Sequence, residues 1–360
     1  VTFTAPANVG GSAITGYTGQ SNPGGIAATA SASPLTFSGL TNDTSYTFNV
    51  WALNSYGPSP AGGPSGAVTP ASIRGVFGGG LAGSRQNVID YVQISTIGNA
   101  VDFGDLTVSR YSPGSCASST RGIWGGGYDT AESNVIDYIT IATAGNATDF
   151  GDLTLQRYGL AGCNSGTRGV FAGGDSSTGT SNVIDYITLA TTGNATDFGD
   201  TTSARGSIAG CSSPTRGVFG GGFTTVRVNI LDYITISTTG NATDFGDLTL
   251  GIAGLTACAS STRGLFGGGE TNAAIVNTIE YITIATTGNA IDFGDLTTSR
   301  SLLAACSSST RGLFGGGGTP SNTNIIDYVT ISTIGNSADF GDLTVARSYV
   351  AACSNANGGL

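Results

Sequence analysis

No lysine, no histidine and no methionine occur among the 360 residues, and charged side chains make up only 10% of them. The stretch Asp197-Phe198-Gly199 carries the three letters that hold magnesium in protein kinases, but a kinase also needs a strand lysine and a His-Arg-Asp loop. Both are missing. The 13 arginines form no basic stripe, and the net charge is −10, so a nucleic-acid partner is not expected. No apolar run approaches the roughly 20 residues that span a bilayer, and no basic-then-apolar leader opens the chain, so membrane insertion is not expected. Without methionine, Val1 is not expected to be a native translation start, and the chain reads as a fragment or processed product of a longer protein. No segment shows helical amphipathic periodicity.

What is present is glycine, 59 of 360 residues, with β-branched and aromatic residues between Gly, Ser, Thr and Asn clusters, the balance of an all-β protein with many tight turns. Asp-Phe-Gly-Asp recurs from Asp102, Asp149, Asp197, Asp244, Asp292 and Asp339, at intervals of 47, 48, 47, 48 and 47 residues. A motif copied six times at constant spacing belongs to a building unit, since an enzyme needs one assembled site. Of the 23 acids, 18 sit at three repeat positions, so the acidity is inherited from the template. Cysteines 116, 163, 211, 258, 306 and 353 also come one per unit. Equivalent positions on a ring stay apart, and a disulfide needs Cα atoms within about 7 Å, so buried free thiols are expected. No close C-x-x-C spacing suggests a metal.

The chain divides at residue 70. Residues 1–70 contain a single charged side chain, Asp43, and read as short strands between turns. The segment from Leu40 to Pro60 resembles the last strands of a fibronectin type III domain, with Leu40 and Tyr46 at the family's leucine and tyrosine-corner positions. The resemblance implies a β-sandwich shortened at its N-terminus and used as a spacer or adhesive module.

Residues 71–360 are repeats. In the unit from Arg157 to Ala204, strands are predicted near Leu160–Cys163, Arg168–Ala172, Val183–Ala190 and Phe198–Thr202, with Gly173-Gly174 ending the second where φ above zero is needed. Four-stranded units that cannot bury both faces alone must stack, and six of them arranged radially make a six-bladed β-propeller. An apolar-aromatic strand running into paired glycines, then a tyrosine and a later aromatic, resembles the kelch repeat. The glycine pairs are Gly79-Gly80, Gly126-Gly127, Gly173-Gly174, Gly221-Gly222, Gly268-Gly269 and Gly316-Gly317. The tyrosines run from Tyr91 to Tyr328, and Phe103 and its equivalents fill the family's tryptophan position. The first unit begins at its second strand, Ile73 to Gly78, and the last segment, from Arg347, is a first strand without a successor. Closure by this C-terminal strand would leave no open edge.

Each motif has two readings. Asp197 and Asp200 with their counterparts suit a tight turn better than a calcium loop, which prefers six to eight oxygens. The arginine before each second strand, from Arg74 to Arg311, is expected to pair with a repeated aspartate, as Arg216 with the Asp197–Asp200 turn, rather than to form an anion-binding ring. No catalytic residue, metal or cofactor is assigned. The loops joining second to third strands differ between units and project from one face of the disc, where recognition is usually written. Tyr128, Asp129, Glu132, Asp175, Phe223, Arg227 and Glu270 are the candidate binding residues.

Phrases such as TRGVFGGG and GNATDFGDLT resemble kelch-like proteins of bacteriophages, especially those of marine bacteria. That resemblance covers 71–360 and implies a non-enzymatic virion protein, tail-fibre-like, that meets other virion subunits and a host surface glycan or protein. A propeller carbohydrate-active enzyme and a bacterial surface adhesin are the alternatives. The first needs two carboxylates about 5 to 9.5 Å apart. Its acids outside the template, Asp129 and Glu132 in one loop, Asp175 and Glu270 in two others, are spread over three units. Copper chemistry of the kind some kelch enzymes use is excluded by the lack of histidine.

Overall fold

The computed structural model describes residues 1–42, 44–70 and 72–356; Asp43, Ala71 and the last four letters of the C-terminal segment lie outside the described residues. Every regular element among them is a strand. The chain separates into two compact units, Val1–Ser72 and Ile73–Leu360.

In the smaller unit, Gly16–Asn22 pairs on one side with Ala27–Ala30 and on the other with Thr47–Asn54, which in turn pairs with Gly57–Pro58. All these pairings are antiparallel. Alternation along Thr47–Asn54 turns Phe48 and Ala52 inward, and Leu35 and Tyr17 join them in a small core. The Tyr46 hydroxyl accepts a hydrogen bond from the Thr41 backbone N–H at 2.9 Å, tying the turn to the strand that follows it.

The larger unit holds six four-stranded antiparallel sheets among the described residues. Sheets 2 to 6 are each continuous in sequence: 114–152, 161–200, 209–247, 256–295 and 304–342. Sheet 1 is assembled from both ends, because Ala351–Ser354 pairs with Arg74–Gly78, followed by Val88–Gln93 and Val101–Asp105. In sheet 3 the strands are Ala161–Asn164, Arg168–Ala172, Val183–Thr188 and Thr196–Asp200, so the third is shorter than its sequence suggests and the fourth starts earlier. The third strand ends before Leu189 because Thr188 and Thr191 close a turn there. Gly173 and Gly174 take φ of +65° and +106°, and a Cβ on Gly173 would come 2.7 Å from the Arg205 carbonyl oxygen.

The first strands of successive sheets touch one another in a closed order, including sheet 6 to sheet 1 and sheet 1 to sheet 2. Each of the six apolar clusters in this unit is built from two neighbouring sheets. No sheet therefore owns a complete core. Burial of the second-strand aromatics sets the spacing: Phe171 of sheet 3 lies about 3.0 Å from where a Cβ on Gly125 of sheet 2 would sit, and Trp124 does the same to Gly78 at 2.7 Å. The six cysteines are free and buried, and each thiol lies over the first glycine of the next sheet's second strand, as Cys116 over Gly169. Burial, and the neighbouring thiols at four of the six, push their pKa values up, to about 12 at Cys211 and Cys353.

The repeated polar letters also join sheet to sheet. Arg121 stacks over Tyr138 of its own sheet at 4.7 Å, Tyr138 meets Phe150 edge-on, and the guanidinium donates to the Leu189 carbonyl of the next sheet at 2.9 Å. The same staple recurs at Arg74, Arg168, Arg216, Arg263 and Arg311, the last reaching Ile94 in sheet 1. The pairing of these arginines with Asp-Phe-Gly-Asp carboxylates, expected from the sequence, is not what the structure has. Stacking plus a carbonyl acceptor holds the guanidinium, while the Asp-Phe-Gly-Asp strand bonds elsewhere: the Asp152 backbone N–H donates to Asn194 Oδ1 of the next unit at 3.1 Å.

The buried aspartate partners belong to a different arginine. Arg110, Arg157, Arg205, Arg300 and Arg347, in the connections between sheets, reach Asp137, Asp185, Asp232, Asp327 and Asp90 at 2.6 to 3.0 Å, with both side chains fully buried. Burial lowers the arginine pKa values and the aspartates oppose it. Sheet 5 breaks the rule. Ile252 stands at the arginine position and Glu280 at the aspartate position, where Thr249 donates to it and a cavity of about 10 Å³ remains beside it.

Candidate functional site

One end of the larger unit is built from the letters that vary. The first residue of each loop between second and third strands exchanges backbone hydrogen bonds with the connection that leads into the same sheet: Tyr128 with Tyr111, Asp175 with Tyr158, Phe223 with Gly206, Glu270 with Ala253, Gly318 with Ser301 and Leu81 with Ser348. The next residue of each connection, Ser112, Gly159, Ser207, Gly254, Leu302 or Tyr349, adopts φ between +54° and +65°. That conformation turns each N–H toward the previous connection. Ser112 donates to Tyr349, Gly159 to Ser112, Ser207 to Gly159, Gly254 to Ser207, Leu302 to Gly254 and Tyr349 to Leu302, at 2.7 to 3.1 Å, a closed cycle of six backbone hydrogen bonds. Four of the six residues are not glycine, so the left-handed backbone there is held by this cycle against its local cost.

Beneath the cycle the first strands line the axis with Ser115, Gly162, Gly210, Ala257, Ala305 and Ala352. A Cβ on Gly162 would fall 1.9 Å from the Ser115 carbonyl oxygen, so the axis is packed by backbone and leaves a cavity of only about 90 Å³. Room for a ligand is therefore on the end face rather than in a channel.

The side chains on that end are unevenly spread. Tyr111 stacks on Tyr128 with ring centroids 5.3 Å apart, Tyr349 lies 5.2 Å from Tyr111, and Tyr158 meets Tyr128 edge-on at 5.5 Å. The Arg85 guanidinium sits over the Tyr128 ring at 5.7 Å. Burial, then the Asp175 carboxylate and the other neighbouring charges, push the Tyr158 hydroxyl above its usual pKa; burial followed by Tyr128 and Tyr349 does so at Tyr111. The opposite half carries Gly206, Ala253 and Ser301 at the positions of Tyr111 and Tyr158, and Ser207, Gly254 and Leu302 at that of Tyr349.

Of the residues singled out from sequence, Tyr128, Glu132 and Asp175 come together around this tyrosine pad, with Glu132 bridged through its backbone to Tyr128. Asp129 follows Tyr128 in the loop turn, where its N–H donates to the Ala131 carbonyl at 3.0 Å. Arg227 and Glu270 form an ion pair at 2.8 Å between the loops of sheets 4 and 5, and Phe223, 41% exposed, is bridged to Arg227 through the backbone. Two groups thus emerge, an aromatic one and an ion-paired one.

Sequence reasoning missed Tyr111, Tyr158, Tyr349 and Arg85. Arg85 lies in the variable loop 81–86 itself; for the tyrosines the letters after each connection arginine change from unit to unit as the loops do, but they sit beside the first-strand template and read as part of it. Among the described residues no cluster of three or more acidic or thiol groups is arranged to hold a metal ion. No family model matches this chain, and no curated protein matches it.

Proposed function

We propose that residues 73–356 form a six-bladed, kelch-like β-propeller closed by its C-terminal strand, and that the chain is a non-catalytic recognition part of a phage virion, tail-fibre-like, that meets a host surface glycan or protein. The blade reading rests on the closed order of first-strand contacts and on apolar clusters that each need two sheets. The Thr41–Tyr46 hydrogen bond supports a fibronectin type III-like module ahead of it. The virion assignment rests on the resemblance of the repeats to phage kelch-like proteins.

One observation carries the recognition role. The repeated residues are spent on contacts between neighbouring sheets, while the unrepeated ones gather four tyrosines on one half of one end. Loops on a rigid scaffold are where binding residues concentrate, and Tyr supplies large contact area at low entropic cost. An aromatic patch rimmed by charge marks an interaction site.

The test has two arms. Antibody labelling of purified particles is expected to find the chain on an external appendage. The purified chain is expected to compete with particles for host cells, and Tyr128→Ala to abolish the competition. A chain absent from particles, or competition untouched by Tyr111→Ala and Tyr128→Ala together, would reject the reading.

A further inference from the structure

Resting on that recognition reading, we propose that the tyrosine pad binds a surface glycan bearing free amino groups, with the pyranose ring on Tyr111, Tyr128 and Tyr158 and the amine on Asp175.

Charge selects the class. The loop charges of the tyrosine half are Arg85 against Asp129, Glu132 and Asp175, which gives 1 − 3 = −2. Arg85 is itself engaged over the Tyr128 ring, and the other loop cation, Arg227, is paired with Glu270. An acidic polysaccharide would meet net repulsion here and find no free cation to neutralise it.

Asp175 selects the amine. Its backbone is fixed by two hydrogen bonds to Tyr158, at 3.0 and 2.7 Å. Its carboxylate crosses toward the next connection, where Oδ2 lies 2.1 Å from the place a Cβ on Gly206 would take. Glycine at 206, where two other connections carry tyrosine, is what leaves that space. Among the described residues no donor reaches this carboxylate, although it is half-buried and loss of hydration already raises its pKa. A partly desolvated carboxylate without an internal donor is stabilised by an incoming cation, through a charge-assisted hydrogen bond. The Tyr158 ring beside it, whose hydroxyl feels the carboxylate, adds cation–π attraction for the same group. The Tyr111–Tyr128 stack, meanwhile, is packed on itself at 5.3 Å and leaves no cage between its rings, so the ligand's ring must lie on the pad instead of entering it.

The experiment uses the full chain and titrates it, in mildly acidic buffer, with a fully deacetylated glucosamine hexamer, its N-acetylated counterpart, a polygalacturonate oligomer and pentalysine. The deacetylated hexamer is expected to bind at least about tenfold tighter than the N-acetylated one, about 1.4 kcal/mol. Asp175→Asn is expected to erase that preference, and Tyr111→Ala with Tyr128→Ala to remove binding altogether. Gly206→Ala, which moves the carboxylate without deleting it, is expected to weaken binding at least about threefold. Equal or tighter binding of the N-acetylated or acidic oligomers, or pentalysine binding as tightly as the sugar, would overturn the proposal. If Tyr128→Ala abolishes competition for host cells while the hexamers bind alike, only the amine assignment falls; if neither responds, the recognition reading falls too.

Discussion

The repeated framework and the variable end of the larger unit use the same side chains for opposite purposes. Tyr138 is held between Arg121 and Phe150, and its arginine continues into the next sheet. Tyr128, ten residues earlier, is held mainly by other tyrosines on the end face and by one exposed arginine. Six copies of the first arrangement carry no information about a ligand, because they are equivalent. The second occurs once, and only an arrangement that occurs once can distinguish one partner from another. The arginines divide the same way: eleven belong to the framework, and Arg85 and Arg227 to the end face.

The sharpest way to weaken the framework is alkali, which also acts through the raised end-face tyrosines Tyr111, Tyr158 and Tyr349. All six thiols are buried with raised pKa values, so the folded state keeps its protons where the unfolded chain, with thiols near 8.5, releases them. Stability from this source is intact below about pH 8.5 and is lost as the pH rises toward the folded values, about 12 at Cys211 and Cys353. The loss approaches about 1.4 kcal/mol per thiol per pH unit, or roughly 8 kcal/mol for the ring across one unit. Urea denaturation at two alkaline pH values is expected to show it, and replacing the cysteines with alanine is expected to flatten the curve.

Next in size is the buried ion pair. Arg157→Ala leaves the fully buried Asp185 carboxylate without its cation beside orphaned carbonyls, and is expected to cost about 3–5 kcal/mol in the same denaturation measurement. Sheet 5 offers the converse, since Glu280 lacks the arginine that its counterparts possess. The double change Ile252→Arg with Glu280→Asp is expected to stabilise the chain by about 1–3 kcal/mol at neutral pH, read as a higher urea midpoint. Ile252→Arg alone should gain less, because the longer Glu280 side chain already occupies part of the guanidinium's place.

Much of this framework was legible in the letters. The strands of the Arg157–Ala204 unit, the glycine pair that ends the second strand and the incomplete first unit all followed from period, turn chemistry and register. The partners of the arginines did not. Both arginine sets occur in units that carry repeated carboxylates, and only the folded geometry decides that Arg157 turns back to Asp185 of its own sheet, while Arg168 crosses to the Ile236 carbonyl of the next. The tyrosine pad was half visible for a related reason. Loop residues such as Tyr128 announced themselves by varying, whereas Tyr111, Tyr158 and Tyr349 lie in connections whose neighbours are repeated. Their meeting depends on the closed cycle of backbone hydrogen bonds, which involves residues up to 237 positions apart, such as Ser112 and Tyr349, and no local pattern encodes it.

The division of labour is tested most directly by the melting temperatures of two matched variants, Tyr138→Ala and Tyr128→Ala. Removing Tyr138 is expected to cost about 3–5 kcal/mol, a fall of several degrees, since its ring holds a staple between two sheets. Removing Tyr128 is expected to cost less than about 1 kcal/mol and to leave the melting temperature within about two degrees of the parent. Equal falls, or a larger fall for Tyr128, would contradict the account.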